Sequence, residues 1–171
     1  MKKKLGITAA VLLYALIAGA VVWMVAIGGN YPSGSDTLCH IYKGDILYQN
    51  IKAGNWYPLY DNLWYNGVQM MRYWAPLPIY VLAFCQMLAG GEALSGYLVY
   101  VGLILFFGAL SWLFIGVKKN RPVFGAFLGV LWFFMPNNLY ALFGEGNLPR
   151  SLSMVPVSYT HLRAHETLRH L

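Results

Sequence analysis

Four apolar segments of helix length follow one another along the chain, and polar or charged residues separate them. The first runs over residues 5–28, behind Lys2, Lys3 and Lys4. At a rise of about 1.5 Å per residue it can cross a hydrocarbon core of roughly 30 Å. The other three cover residues 76–90, 95–117 and 122–143. The pattern predicts an all-α, polytopic integral membrane helical bundle with three to four hydrophobic helices.

A polar and aromatic loop over residues 30–75 separates the first apolar segment from the second. Within it we expect a juxtamembrane helix, capped by Ser33 or Ser35, ended near Ala53 by Gly54 and lying along the membrane. Its apolar positions recur near one face, at Leu38, Ile41, Leu47 and Ile51. Asn66–Gly67 predicts a turn. The loop also carries aromatic residues typical of a membrane–water interface, namely Trp56, Tyr57, Tyr60, Trp64, Tyr65, Tyr73 and Trp74.

The pattern allows two membrane topologies. The N-terminal lysines predict a cytoplasmic N-terminus. If 76–90 and 95–117 both cross the bilayer, Lys118, Lys119 and Arg121 lie outside and Glu145 lies inside. If 76–90 is re-entrant or interfacial, the basic cluster is cytoplasmic and Glu145 shares the outer face with Asp36. The short length of 76–90 favours the second arrangement.

The last apolar segment contains one strong helix breaker. We expect Pro136 to bend or end the helix over 122–143. Residues 144–150, which contain two glycines and a proline, are expected to form a loop.

Composition excludes several classes of protein. Hydrophobic residues make up 58% of the 171 residues and charged residues only 11%, against about a quarter in soluble domains. The net charge of +6 is spread along the chain without interleaved basic and aromatic clusters, so we expect membrane lipids and no nucleic acid as partners. Two cysteines, Cys39 and Cys85, are too few for a disulfide framework or a structural zinc site.

The C-terminal segment over residues 157–171 differs abruptly from what precedes it. Back-translated, Val157 to Thr167 reads as a transposon adapter of the kind used to prepare sequencing libraries. We therefore set 157–171 aside as a non-native tail. Residues 1–156 are then expected to be the N-terminal part of a longer protein and to be inactive alone. His40 is the one histidine outside this tail.

Candidate chemistry concentrates in the outer loop. Asp36 and His40 are four residues apart, so on a helix they share a face and could together hold a divalent metal ion or a substrate hydroxyl. They could equally be a helix N-terminal acid and an interfacial polar residue. Glu145, between glycines, could approach a ligand closely or be a solvated loop acid. Asp45 and Asp61 are expected to be structural, and Glu92 to be a turn residue.

Cations and aromatic rings of the same loop suit a lipid-linked substrate. Lys43, Lys52 and Arg72 could bind its phosphate at headgroup depth, or could bind ordinary lipid headgroups. Stacking on a sugar or covering a lipid tail could fall to Trp56, Tyr57, Trp64 and Trp74, although a plain interfacial belt has the same composition.

The order of these elements resembles a known family. The sequence runs from one membrane helix to Ser35–Asp36 and His40, then to residues 54–59 (GNWYPL), Asn66–Gly67 and residues 75–80 (APLPIY). Over 5–156 it is similar to the N-terminal part of bacterial multi-pass membrane proteins related to 6-pyruvoyl-tetrahydropterin synthase, and more distantly to GT-C glycosyltransferases. Residues 145–150 (EGNLPR) also look like these proteins. The zinc-binding histidine set of the soluble pterin enzyme has no counterpart here.

The resemblance implies a function at the outer face of a bacterial cytoplasmic membrane. It implies a glycosyltransferase, when full length, that uses a polyprenyl-phosphate-linked sugar. Asp36 would hold a divalent metal ion or activate the acceptor, and Glu145 would be a second acid. Lys43, Arg72 or Arg150 would lie near the donor phosphate. The chain departs from the GT-C pattern because Thr37, and not a second acid, follows Asp36.

Two other classes of function stay open. In a non-catalytic membrane scaffold or lipid-handling protein of a cell-envelope pathway, Asp36 and His40 would only pack. A small transporter component fits less well, because ion and proton pathways usually need charges inside the apolar helices.

Overall fold

The computed structural model describes residues 2–28, 34–64 and 66–156. Within these ranges the chain forms helices and turns, with one isolated bridge and no strand. The elements are α1 (Lys2–Ile27), α2 (Thr37–Lys52), α3 (Met70–Tyr73), α4 (Pro76–Leu88), α5 (Ala93–Lys118), α6 (Pro122–Phe134), α7 (Pro136–Leu139), a π-helical turn (Tyr140–Gly144) and α8 (148–156). The all-α prediction is confirmed. The predictions for Ser33, Tyr65 and 157–171 fall outside the described residues.

Two helices, α1 and α5, are long and apolar enough to cross a membrane, and α6 with its continuation, bent by 43° at the break between them, is a third candidate for a span or for a re-entrant segment. The bend lies at Pro136, as predicted, because proline has no N–H to donate to the carbonyl of Trp132. The buried Asn138 replaces that donor, since its Nδ2 donates to the Trp132 carbonyl at 3.1 Å. The break therefore leaves this buried carbonyl paired.

Close contacts between small residues hold the three spans together. A Cβ added to Gly125 would lie 2.7 Å from the Cα of Gly116, so the backbones of α5 and α6 touch there. Further along the pair, Trp132 lies over Gly108. Tyr14 of α1 donates its hydroxyl to the Ala126 carbonyl at 2.8 Å. Such small-residue approaches are how membrane helices gain packing energy, since the lipid offers no hydrophobic drive between them.

The pairing of the spans sets which ends lie together. Val22 of α1 lies against Gly102 of α5, whereas Tyr14 lies against Gly129 of α6, which itself packs on the Ala109 carbonyl of α5, so α1 runs antiparallel to α5. One end of the bundle therefore carries the end of α1, the start of α5 and the π-helical turn; we call it the site end because the predicted site residues Asp36 and Glu145 meet there. The basic end carries Lys4 and the α5–α6 turn. Asp36 and Glu145 thus lie at the same end of the bundle, which is the relative placement that the second predicted topology requires; the side of the membrane that each end faces stays a prediction.

The short helices α2 and α4 pack on each other at the site end. Leu82 of α4 covers Gly44, and Gln86 Nε2 donates to the Asp45 carboxylate at 2.6 Å. Helix α4 has 13 residues and is therefore about 20 Å long, which is short for a hydrocarbon core of roughly 30 Å. The chain that leads from α1 to α5 starts and finishes at the same end of the bundle. Asp45 is structural, as predicted.

Several local expectations need correction. Helix α2 begins at Thr37 with Asp36 at its N-cap position, and the Ser35 hydroxyl donates instead to the Glu145 carbonyl. Leu38 is exposed, while Ile41 and Leu47 are buried. The expected loop over 144–150 ends early, because α8 starts at residue 148.

Other local expectations hold. Gly54 follows the end of α2 with φ +86°, and Asn66 and Gly67 have positive φ. The turn at Asn66–Gly67 closes a bridge in which Asp61 and Val68 exchange backbone hydrogen bonds of 2.8–2.9 Å. Asp61 also accepts from the Tyr42 hydroxyl at 2.7 Å. Glu92, expected to be a turn residue, has a further role, because it accepts from the backbone N–H groups of Leu94 and Ser95 and so caps α5.

Candidate functional site

The start of α2 docks on the segment that carries Glu145. The backbone N–H of Asp36 donates to the Glu145 carbonyl at 2.8 Å, and that of Ser35 donates to the Gly144 carbonyl at 3.3 Å. A Cβ added to Gly34 would lie 2.7 Å from the Cα of Gly146, and one added to Gly146 would overlap Thr37 Oγ1. Backbone contact of this kind requires glycine on both sides. It brings Asp36 and Glu145, two of the predicted site residues, to one place.

One face of α2 carries three buried polar side chains without hydrogen-bond partners in the described part of the chain. They are Thr37, His40 and Lys43, with 0%, 3% and 5% of their surface exposed. The unpaired atoms are Thr37 Oγ1, His40 Nε2 and Lys43 Nζ. Each buried group left unpaired costs roughly 1–3 kcal/mol. Three such atoms on successive turns make this face of α2 a candidate site for a polar ligand.

Trp74 closes the Lys43 side of this face. Its ring lies 3.3 Å from Lys43 Nζ, measured to the ring centroid, and meets the His40 ring edge-on at 5.6 Å. A cation over an indole face is stabilised by about 2 kcal/mol when both are desolvated. Burial, together with the charge of Lys43, lowers the pKa of His40 to about 4, and Asp36 acts against this shift. His40 is therefore neutral at physiological pH.

Glu145 and Arg150 form an ion pair beside the docked start of α2. Arg150 Nη1 donates to both carboxylate oxygens of Glu145 at 2.8 Å, and Nη2 donates to Asn137 Oδ1 at 2.9 Å. Asn147 Oδ1 accepts from the Arg150 N–H at 3.1 Å and so caps the start of α8. Both side chains of the pair are partly exposed, 40% for Arg150 and 28% for Glu145. The guanidinium thus stays open to a second anion.

The remaining predicted residues lie elsewhere. Arg72 is exposed and donates to Gln69 Oε1 at 3.1 Å. Trp56 is 66% exposed, and its carbonyl accepts from the Tyr80 hydroxyl. Lys52 is exposed and lies 5.4 Å from the centroid of the Tyr48 ring. None of the three has a contact with Asp36, Glu145 or Lys43 among the interactions of the described residues, so the structure does not join them to this site.

The donor set gives limited support for a metal ion. Within the described ranges no three His, Cys, Asp or Glu side chains converge. Asp36 and His40 lie one turn apart on the start of α2, as their spacing predicts. Mg²⁺ can bind to one or two carboxylates together with substrate phosphates, so a metal requirement stays a prediction and enters no step below.

Sequence reasoning missed two parts of the site. Thr37 was treated only as a departure from a family pattern, although it starts the 37, 40, 43 spacing that puts polar groups on one helix face. The glycines beside Glu145 suggested a close approach to a ligand, but neither Gly34 nor Gly146 indicated that the other is its contact partner, more than a hundred residues away along the chain.

Comparison with known proteins identifies the family but no close relative. No curated protein and no solved structure matches the chain. A family model described as a 6-pyruvoyl-tetrahydropterin synthase related domain, of membrane proteins, matches residues 71–167. The match covers α4 to α8 and the Glu145–Arg150 pair, and it extends beyond Pro156. With more than half of its residues matched and with its membrane-spanning helices, the chain belongs to the membrane protein family of 6-pyruvoyl-tetrahydropterin synthase related domains.

Proposed function

We propose that the full-length protein is a membrane glycosyltransferase that takes a polyprenyl-phosphate-linked sugar at the site end of the bundle. The observation that carries the proposal is the buried face of α2, where Thr37 Oγ1, His40 Nε2 and Lys43 Nζ lack partners. A phosphate group offers acceptor oxygens that suit the Thr37 hydroxyl and the Lys43 ammonium. A lipid-linked donor carries such a phosphate at the depth of the membrane surface.

The proposed chemistry needs a carboxylate that acts as a base and a cation at one site. The acceptor hydroxyl oxygen forms a bond to the anomeric carbon while the bond from that carbon to the phosphate oxygen breaks. Asp36 takes the acceptor's proton, and the polyprenyl phosphate leaves with the bonding electron pair. Lys43 stabilises the negative charge that develops on the leaving phosphate, and Arg150 can approach it from the Glu145 side.

The charge distribution supports a cytoplasmic basic end and an outer site end. Lys4, Lys118, Lys119 and Arg121 lie at the basic end, where the positive-inside rule expects them in a cytoplasmic membrane. A site at the outer face would receive lipid-linked sugars after their transfer across the bilayer. Membrane lipids surround the spans in either orientation.

The test is sugar transfer by membranes that contain the full-length protein. A panel of radiolabelled polyprenyl-phosphate sugars is the probe, and label in a non-lipid product is the readout. We expect Asp36→Asn to lower the transfer rate by roughly 10²- to 10⁴-fold, the usual contribution of a general base. Glu92→Gln removes the same charge at the same end, at the cap of α5, and is the matched control.

Two results would refute the proposal. One is the absence of transfer from every donor in the panel, and the other is an Asp36→Asn variant as active as the wild type. Either result would favour a scaffold or lipid-handling role. Chelation with EDTA in the same assay tests the metal prediction separately.

A further inference from the structure

A cavity of about 300 Å³ lies beside α3, in the segment that connects α2 to α4. Its lining residues are Tyr57, Leu59, Gln69, Met71 and Arg72. The volume is at the lower end of the range of roughly 300–1,000 Å³ that small-molecule sites usually have. Apolar side chains, polar groups and one cation therefore surround a space that can take a small ligand or part of a larger one.

Met71 separates this cavity from the face of α2 that carries Lys43. Its buried side chain lines the cavity and also a second, much smaller cavity of about 10 Å³, which Lys43 lines as well. The smaller cavity has room for about one water molecule. Trp74, two residues after Arg72, contacts Lys43, so both cavities lie at the site end of the bundle. They share a wall, but a ligand of the larger cavity does not need the proposed transferase site.

Arg72 supplies the charge of the larger cavity. Its Nη1 donates to Gln69 Oε1 at 3.1 Å, and Arg72 has no ion pair with a carboxylate among the described residues. Gln69 is neutral, so this hydrogen bond does not balance the positive charge. A guanidinium has five N–H donors in a planar fork. Arg72 therefore keeps donors for a ligand, and the fork matches the spacing of two phosphate oxygens.

Exposed apolar and aromatic side chains surround the cavity. Leu59 on its lining is exposed, and so are Trp56 and Tyr73, which adjoin lining residues along the chain. Aromatic side chains with a polar edge are enriched at the membrane–water interface, where lipid headgroups carry their phosphates. We therefore expect the cavity to open at the depth of the headgroups.

We infer that this cavity binds a phosphate group, with Arg72 donating two N–H groups to two phosphate oxygens. The Gln69 amide has a further N–H donor for the same ligand, and Leu59 and the Tyr57 ring contact the apolar part that adjoins the phosphate. A lipid headgroup and a soluble phosphate ester offer the same oxygens. The experiment therefore needs one arm for each source.

Native mass spectrometry of the full chain in detergent tests the inference. The probes are phosphatidic acid and diacylglycerol with identical acyl chains, which differ by the phosphate alone. We expect the wild type to prefer phosphatidic acid and Arg72→Gln to bind it roughly tenfold more weakly, because charge-assisted hydrogen bonds are lost. Lys52→Gln removes the same charge from an exposed residue of α2 outside the cavity lining, and it should bind like the wild type.

A second variant separates a forked contact from simple attraction. Arg72→Lys keeps the charge but loses the planar fork, so it should bind phosphatidic acid more weakly than the wild type. A phosphate held at the α2 face would not depend on Arg72, so the two Arg72 variants report on this cavity. Competition with excess inorganic phosphate then identifies the source. Displacement of the lipid indicates that free phosphate binds too, whereas retention indicates the lipid headgroup, and both results support phosphate binding.

Three outcomes overturn the inference. The first is a wild type that binds phosphatidic acid and diacylglycerol equally. The second is an equal loss of binding in Arg72→Gln and Lys52→Gln, which would mean diffuse attraction to the surface. The third is an Arg72→Lys variant that binds as tightly as the wild type. None of these outcomes changes the expected effect of Asp36→Asn on sugar transfer, so the two proposals fail independently.

Discussion

The contact between Gly146 and the start of α2 gives the sharpest test of how the site is assembled. Gly146 has φ +69°, and a Cβ there would overlap Thr37 Oγ1 and lie 2.6 Å from the Thr37 backbone nitrogen. Gly146→Ala therefore imposes two penalties. The left-handed backbone costs roughly 1–2 kcal/mol, and the overlap adds about 1–3 kcal/mol if the segments stay docked.

Hydrogen bonds stabilise the docked state by an amount similar to the free-energy cost of the steric overlap. Three hydrogen bonds join Ser35 and Asp36 to the carbonyls of Gly144 and Glu145, and each contributes roughly 0.5–1.5 kcal/mol. Undocking relieves the overlap at the cost of these bonds. We therefore expect the docked population of Gly146→Ala to fall, and the backbone amides of Ser35 and Asp36 to exchange hydrogen about tenfold faster or more, since 1.4 kcal/mol corresponds to tenfold.

Gly90→Ala is the matched control for backbone strain. Gly90 has φ +80°, but a Cβ there would meet nothing within 4 Å. Hydrogen exchange by mass spectrometry on peptides covering residues 34–40, in nanodiscs, measures both variants. Equal exchange in Gly146→Ala, Gly90→Ala and the wild type would refute the claim that this close contact assembles the site.

Two further variants test the electrostatics of the site. The pKa of His40 is about 4 in the folded chain against 6.5 for an unburied histidine, so as the pH falls the unfolded state takes up the proton first. The free energy of unfolding should therefore fall by about 2 kcal/mol between pH 7.5 and 5.0. Hydrogen exchange of the α2 amides, corrected for the pH dependence of intrinsic rates, should become faster at low pH in the wild type but not in His40→Phe. An equal pH dependence in both proteins would contradict the assignment to His40. Arg150→Gln should change the unfolding free energy by less than about 1 kcal/mol, because its ion pair with Glu145 is partly exposed, yet should lower sugar transfer at least tenfold. A large fall in melting temperature would instead make Arg150 a structural residue.

Features that depend on local chain chemistry were predictable from the sequence. The apolar segments correspond to α1, α5 and the bent helix pair from α6 onwards because the transfer of a segment from water to lipid depends on its composition and length. The break at Pro136 follows from a missing N–H. The turn at Asn66–Gly67 and the end of α2 at Gly54 follow from the tolerance of these residues for positive φ.

Some local signals were misleading because a distant partner outweighed them. Ser35 has the side chain of a helix cap, but its hydroxyl donates to a carbonyl 110 residues away. Leu38 fits an apolar helix period, yet it is exposed because α4 and α5 cover a different face of α2.

The sequence by itself determined an all-α membrane protein, the segments that span the bilayer and the residue types available for chemistry. Only the tertiary structure decided that Glu145 meets Asp36, that Arg150 pairs with Glu145, and that His40 and Lys43 are buried under Trp74. The physical reason is that hydropathy and backbone preference act within a few residues. The partners of a polar side chain instead depend on how the spans pack, and here close glycine contacts at Gly116–Gly125 and Gly34–Gly146 set that packing.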